Sequence, residues 1–303
     1  MWVSSTRYKP LKPLNSPRVP SNARAASGAA AMGLPSDLIE GSIVSTSFNA
    51  VAAATSDERY ARMRAETSLF MRDHVLSIVS HDLRSPLNAI HSWAYVLERK
   101  LDTNDATAQR ALLGIRSGVD QQVKLLDEVV DSTRTGTRTL PLQRAAFMMR
   151  PLLDRALDDV RRVLGEPRGV SVSIDSRLDS EQCDGDFERL SQAVWVMLAF
   201  AVEGSGSGPG NAVVLSSSVE SGFWRIDVKH TMSFSAFGDA ELPHVFEAFA
   251  RKQATHPREA GRIAWVLALP QTVAAAHGGA FEQSATLDKE PSTLSLRIPL
   301  VAI

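Results

Sequence analysis

Ser80-His81-Asp82-Leu83-Arg84-Ser85-Pro86-Leu87-Asn88-Ala89-Ile90 is the stretch on which the reading of this chain turns. Around it the apolar residues Leu76, Val79, Leu83, Leu87, Ile90, Ala94, Leu97 and Leu101 follow one another at spacings of three and four, which predicts a single buried stripe along a long helix. His81 falls opposite that stripe and meets solvent and incoming partners, which is where a nucleophile has to stand. His74 and His91 read as ordinary solvated surface histidines. Pro86 has no backbone N–H to donate, so the carbonyl of Asp82 loses its helical partner and the helix is expected to kink just past the histidine.

Outward from this segment, the helical pattern begins near Asp57 and runs to Lys100, where Asp102-Thr103-Asn104-Asp105 supplies a turn with capping chemistry. A second stripe, Leu112, Ile115, Val119, Val123, Leu126 and Val130, has the same period, so the two helices can form an antiparallel hairpin. One hairpin has little core of its own. A two-fold copy completing a four-helix bundle is the economical way to bury both stripes, so a homodimer is expected. The sequence therefore divides into a basic Pro/Ala/Ser-rich tail at 1–56, a hairpin at 57–134, a linker at 135–141 and an α/β region at 142–303. Within that region helices are predicted at 150–164, 187–202, 242–249 and 265–276, and strands at 170–174, 212–217, 223–228 and 293–298.

Composition narrows the classes. At 303 residues and 44% hydrophobic content the chain can bury two modest cores, and a net charge of −1 gives no case for nucleic acid. The first 36 residues hold five basic residues, five prolines and no acid, a composition expected to stay disordered. The single cysteine, Cys183, can form no internal disulfide and fits a reducing cytoplasm. The longest apolar run, Ala193 to Val202, is far short of the roughly twenty residues of a membrane span. No membrane partner is expected, and the protein is read as cytoplasmic.

The segment from Ser80 to Leu87 resembles the phosphoacceptor box of sensor histidine kinases, whose usual form is Ser-His-Glu/Asp-Leu-Arg-Thr/Ser-Pro-Leu. The runs Asp186-Phe187-Glu188-Arg189-Leu190-Ser191-Gln192, Phe246-Glu247-Ala248-Phe249-Ala250-Arg251 and His277-Gly278-Gly279 are similar to fixed points of that family's ATP-binding domain. Together the resemblance covers about residues 65 to 300. It implies an α plus α/β fold: a helical hairpin forming a dimeric four-helix bundle, then an α/β sandwich of the histidine-kinase ATPase type. It also implies that His81 accepts phosphate. A carboxylate beside it, Asp82, accepts a hydrogen bond from one ring N–H, fixing the tautomer and steadying the cation that develops. Ser85 stands where the family normally has the Thr or Asn that positions a water for dephosphorylation. Its hydroxyl lies on the same helical face as His81, and a simply solvated serine is the equal alternative.

The same alignment exposes departures at the nucleotide. Val196 and Phe200 replace two asparagines, the second a magnesium ligand in the family, and magnesium takes only hard oxygen donors. His230-Thr231-Met232-Ser233-Phe234 replaces Asp-x-Gly-x-Gly, and Arg262-Ile263-Ala264-Trp265-Val266-Leu267 replaces Gly-x-Gly-Leu-Gly-Leu, removing the glycines that admit base and phosphate. The glycine-rich run from Gly204 to Gly210 lacks the context of a phosphate loop and reads as a flexible connection. No cofactor or metal residue is therefore assigned. The favoured reading is a phosphotransfer protein or pseudokinase that carries a phosphoryl group on His81 in a His-to-Asp relay with a response regulator's receiver domain, and with a partner histidine kinase as a second possible donor. Two alternatives stay open: an ATP- and magnesium-dependent autophosphorylating kinase, and a non-catalytic regulator that sequesters a kinase or response regulator.

Overall fold

The computed structural model describes residues 36–100, 105–133, 140–178, 180–208, 210–256, 262–284 and 287–300. Helix α1 (Ser36–Lys100) continues through Pro86 as one helix, so the expected kink does not interrupt it. It begins well before Asp57. Residues 36–56, assigned from composition to the disordered tail, are helical here, and the alanine-rich stretch Ala50 to Ala54 supplies high helix propensity. The rest of that tail, residues 1–35, lies outside the described residues.

Helix α2 (Ala106–Thr133) starts at the expected cap, with Asp105 Oδ1 accepting from the backbone N–H groups of Thr107 and Ala108, each at 3.0 Å. Residues 102–104 of that turn, Leu101 of the stripe, residue 134 of the hairpin and residues 135–139 of the expected linker lie outside the described residues. Ion pairs join the hairpin, Arg116 to Glu98 at 2.8 Å and Arg84 to Asp127. The stripes are only half covered: Ala94, Leu112 and Val119 are buried, whereas Val79, Leu83, Ile90, Leu97 and Ile115 are exposed. Among the described residues no further helix covers these positions. His74 and His91 are half-buried, the latter 4.0 Å from Asp120, and are not the fully solvated residues expected.

The α/β part is a two-layer sandwich. Its five-stranded sheet has the order β2-β4-β5-β7-β6, with β2 (Ser171–Ser176) parallel to β4 (Ala212–Glu220) and the rest antiparallel: β5 (Phe223–Thr231), β7 (Pro291–Pro299) and β6 (Ala280–Gln283). The period of two decides which face is inside. Val213 and Leu215, then Trp224, Ile226, Val228 and His230, then Leu294, Leu296 and Ile298 are the buried alternates. A small second sheet pairs β1 (Ala145–Met148) with β3 (Gln182–Gly185).

Against the inner face lie α3 (Met149–Val160), extended by a π turn (Arg161–Gly165) and α4 (Glu166–Arg168), then α5 (Phe187–Gly204) and α8 (Ala268–Ala276). Helix α5 is buried on every side from Leu190 to Gly204, which is why its apolar run has no amphipathic stripe. Asp186 caps it, accepting from Arg189 N–H at 3.0 Å. His277 is structural. Its Nε2 accepts from Asp186 N–H at 3.0 Å while Nδ1, 2.8 Å from the Val273 carbonyl, carries the proton. Cys183 is buried, and burial pushes its thiol up to about 11, so it is no reactive group.

The helix expected at 242–249 needs correction. Residues 242–247 are irregular and the helix there is α7 (Ala248–Ala254), after a short α6 (Phe234–Gly238). Pro243 disfavours helix before it, and the N–H groups of Val245 and Phe246 are taken by the Glu203 carboxylate, at 2.5 and 3.2 Å. Glu58–Ile303 forms one compact unit, in which Met63, Phe70 and Met71 of α1 join the common core.

A β-carbon at Gly279 would stand 2.0 Å from the Arg297 carbonyl oxygen on β7, so only glycine fits between the end of α8 and the sheet. Gly279→Ala is expected to lower unfolding free energy by about 1–3 kcal/mol. Gly114→Ala, on the exposed face of α2 with nothing within 4 Å, is expected to raise it by about 0.5–1 kcal/mol. Urea denaturation of the two variants checks both signs.

Candidate functional site

Helix α1 presents His81 to solvent with its side chain 79% exposed, and Nδ1 lies 3.3 Å from Asp82 Oδ1. Asp82 is gripped from the other side by Arg262, whose Nη2 donates to Oδ1 at 2.7 Å and Nη1 to Oδ2 at 2.9 Å. This guanidinium, and then the hydrogen bond with His81, pull the Asp82 carboxyl down to about 2, so it is ionised at any working pH. With Nδ1 turned toward a carboxylate that can only accept, the proton belongs on Nδ1 and Nε2 keeps the free lone pair. That nitrogen is the nucleophile the arrangement offers. Ser85 is exposed one turn further along α1, in reach of the same centre by helical spacing. The structure thus brings His81 and Asp82 together as expected and adds Arg262, which the motifs do not assign to this site. No local signal points to it, because the partners are 180 residues apart.

The positions aligned with the nucleotide boxes are engaged elsewhere. Val196 and Phe200 on α5 are fully buried. The Phe200 ring meets His230 edge-on at 6.1 Å and Phe237 at 5.5 Å, and Met232 is buried with them. Packing is close enough that a β-carbon on Gly204 would touch the Phe237 ring at 3.0 Å and the Met232 sulfur at 3.1 Å. In the third box the Ala264 N–H donates to Gln283 Oε1 at 2.9 Å and the Trp265 N–H to Gln253 Oε1 at 3.0 Å. Side-chain amides therefore hold backbone donors that a phosphate would need.

Behind the same wall, Arg168 is buried and donates to the carbonyls of Pro243, Glu203 and Ala236. His244 Nδ1 lies 2.9 Å from Glu203 Oε2. Among the described residues no group of three or more His, Cys, Asp or Glu could hold a metal ion. The hydrocarbon side chains of Val196 and Phe200 at the aligned positions offer magnesium no oxygen donor. His230 ends the inward row of β5, opposite Ser292 on β7, and neither ring nitrogen has a hydrogen-bond partner among the described residues. Burial pushes its pKa down to about 4.

The comparisons name the class to which this fold belongs. Residues 71–138 match the His Kinase A (phospho-acceptor) domain. A histidine kinase from Burkholderia phymatum STM815, known from its crystal structure, is 50% identical, covering 81% of this chain and 99% of that one with a TM-score of 0.67. The Autoinducer 2 sensor kinase/phosphatase LuxQ of Vibrio parahaemolyticus is 25% identical over 213 residues, 69% of this chain and 24% of the relative. The sensor protein DivL of Caulobacter vibrioides is 28% identical over 242 residues, 78% of this chain and 29% of the relative. The chain belongs to the sensor histidine kinase family. It spans about a quarter of the length of these two curated relatives. No helix among the described residues is long and apolar enough to cross a membrane.

His230 makes stability depend on pH with a definite sign. Its folded pKa is near 4 and its unfolded value near 6.5, so between these limits the unfolded chain binds a proton that the folded chain refuses. The stability held with neutral His230 is complete above pH 6.5 and declines at about 1.4 kcal/mol per pH unit as the pH falls toward 4. His277, also pushed down by burial, adds to the same trend. His230→Leu removes one of the two contributions. Urea midpoints at pH 7, 5.5 and 4.5 should show the variant gaining on the parent as pH falls, and a constant gap would contradict the assignment.

Proposed function

We propose that the protein carries a phosphoryl group on His81 Nε2 as a member of a His-to-Asp relay and does not make that phosphoryl group from ATP. One contrast carries the reading: Phe200, aligned with the family's magnesium ligand, is fully buried against His230 and Phe237, while His81 stands open with Nδ1 on Asp82. The donor is an aspartyl phosphate of a receiver domain or a phosphohistidine of a partner kinase. The Nε2 lone pair forms the N–P bond as the O–P bond of the aspartyl phosphate, or the donor's own N–P bond, breaks. The leaving carboxylate or imidazole departs with the electron pair. Asp82 keeps the Nδ1–H in its hydrogen bond and stabilises the imidazolium so formed. Transfer to a receiver aspartate is the reverse. In this reading Ser85, one turn away, orients a water on that receiver's phosphate.

The working form in this reading is a homodimer. Val79, Leu83, Ile90, Leu97 and Ile115 are exposed on one chain at the spacings of a bundle core, and a second hairpin would cover them.

Label on a phosphorylated receiver domain is expected to move to the parent protein and not to His81→Gln. ATP with magnesium is expected to leave no label and to stabilise the fold by less than about 1 kcal/mol in a thermal scan. Label on His81 from ATP alone would establish the autokinase in its place. Tight receiver binding without label, unchanged in His81→Gln, would establish the sequestering regulator. Sedimentation is expected to show a dimer that Leu97→Glu converts to monomer.

A further inference from the structure

Asp82 poses a mechanical problem. It is a short side chain on a helix surface, 46% exposed, and an acid in that setting is free to turn its carboxylate toward water and away from the imidazole. In this protein it is not free. Both oxygens are held by the two terminal nitrogens of Arg262, at 2.9 and 2.7 Å, in the planar fork that only arginine makes. The backbone of Arg262 is anchored in turn by its C-terminal neighbours. Ile263 and Ala264 are buried, and the amides of Ala264 and Trp265 are tied to Gln283 and Gln253. The residue that reaches Asp82 is the one aligned with the first glycine of the family's third nucleotide box, so one substitution both removes a phosphate-binding glycine and supplies this side chain.

We infer that Arg262 is a positioning residue of the phosphotransfer site, contributed by the α/β half: its guanidinium fixes the Asp82 carboxylate where Oδ1 receives the Nδ1–H of His81, leaving Nε2 to take the phosphoryl group. This rests on the reading of His81 as the phosphoryl carrier, and it gives the altered ATPase-type half a part in the chemistry that needs no nucleotide. With both oxygens engaged by a permanent cation, Asp82 orients and steadies the ring without taking its proton. Lysine would be a poor substitute, because a point charge neutralises the carboxylate without setting its plane.

The test uses the full chain and two readouts. In the first, label transfer from a phosphorylated receiver domain is timed for the parent, Arg262→Gln, Arg262→Lys, Asp82→Asn and the double variant Asp82→Asn/Arg262→Gln. Arg262→Gln is expected to slow labelling roughly 10- to 100-fold, Arg262→Lys less, and the second substitution in the Asp82→Asn background by less than about twofold, since Arg262 acts through Asp82. An unchanged rate in Arg262→Gln, or a full independent loss in the double variant, overturns the inference. In the second, 15N spectra of the histidine rings, with His81→Gln identifying the His81 signals, report the tautomer. The parent is expected to hold the proton on Nδ1, and Arg262→Gln to populate both tautomers. If the parent takes no label from any donor, the carrier reading fails by itself. The ring spectra then still decide the role of Arg262, because identical His81 signals in parent and Arg262→Gln overturn it.

Discussion

The packing of α1 against α5 around Met63 to Met71 is the contact that ties the histidine-bearing helix to the α/β part. Met63, Phe70 and Met71 enter the core shared with the sheet, each such burial contributing about 1.5–3 kcal/mol, and Tyr60 meets Trp195 edge-on at 5.8 Å. Around this apolar seam Glu66 accepts from Arg189 and Gln192, each at 2.7 Å, and Arg59 pairs with Asp159 at 2.9 Å. A continuous helix rises about 1.5 Å per residue, so fixing α1 at Glu66 also fixes His81 about 22 Å along the same rod. The α/β half is thereby held in register with His81, and Arg262 can meet Asp82.

The region aligned with the family's nucleotide boxes shows the same consistency from another side. Buried backbone groups need hydrogen-bond partners. Here Gln253 and Gln283 serve the third box, and Glu203 serves the N–H groups of Val245 and Phe246. His230 is inserted among Phe200 and the sheet's inner row with both ring nitrogens unserved among the described residues. It is therefore the weak point of this core toward acid, and its charge is excluded by burial alone.

Periodicity makes much of the architecture legible. The stripes of α1 and α2, the alternation in β4, β5 and β7, and the apolar run of α5 are repeated patterns, and each of these elements, apart from the early start of α1, appears within a few residues of its expected place. Four-residue strands carry too few alternations to register, so β1, β3 and β6 leave no readable pattern. They form because distant partners supply their hydrogen bonds. Residues 242–247 have helix-compatible composition around Pro243, yet a buried carboxylate 42 positions away from Val245 claims their N–H groups. The start of α1 is hidden because the proline-rich, acid-free composition of the first 36 residues gives no sign of where its influence ends.

The order of residues along the chain is enough to settle the helical hairpin, the α/β class and the pair His81–Asp82, because each is written in residues close together whose spacing is the physics of one helix or strand. Folding in three dimensions was needed to bring α1 into the core of the sandwich, to make Phe200, His230 and Phe237 meet, and to set Arg262 on Asp82. Those contacts join residues far apart along the chain, and only the simultaneous burial of every element selects which of them are made.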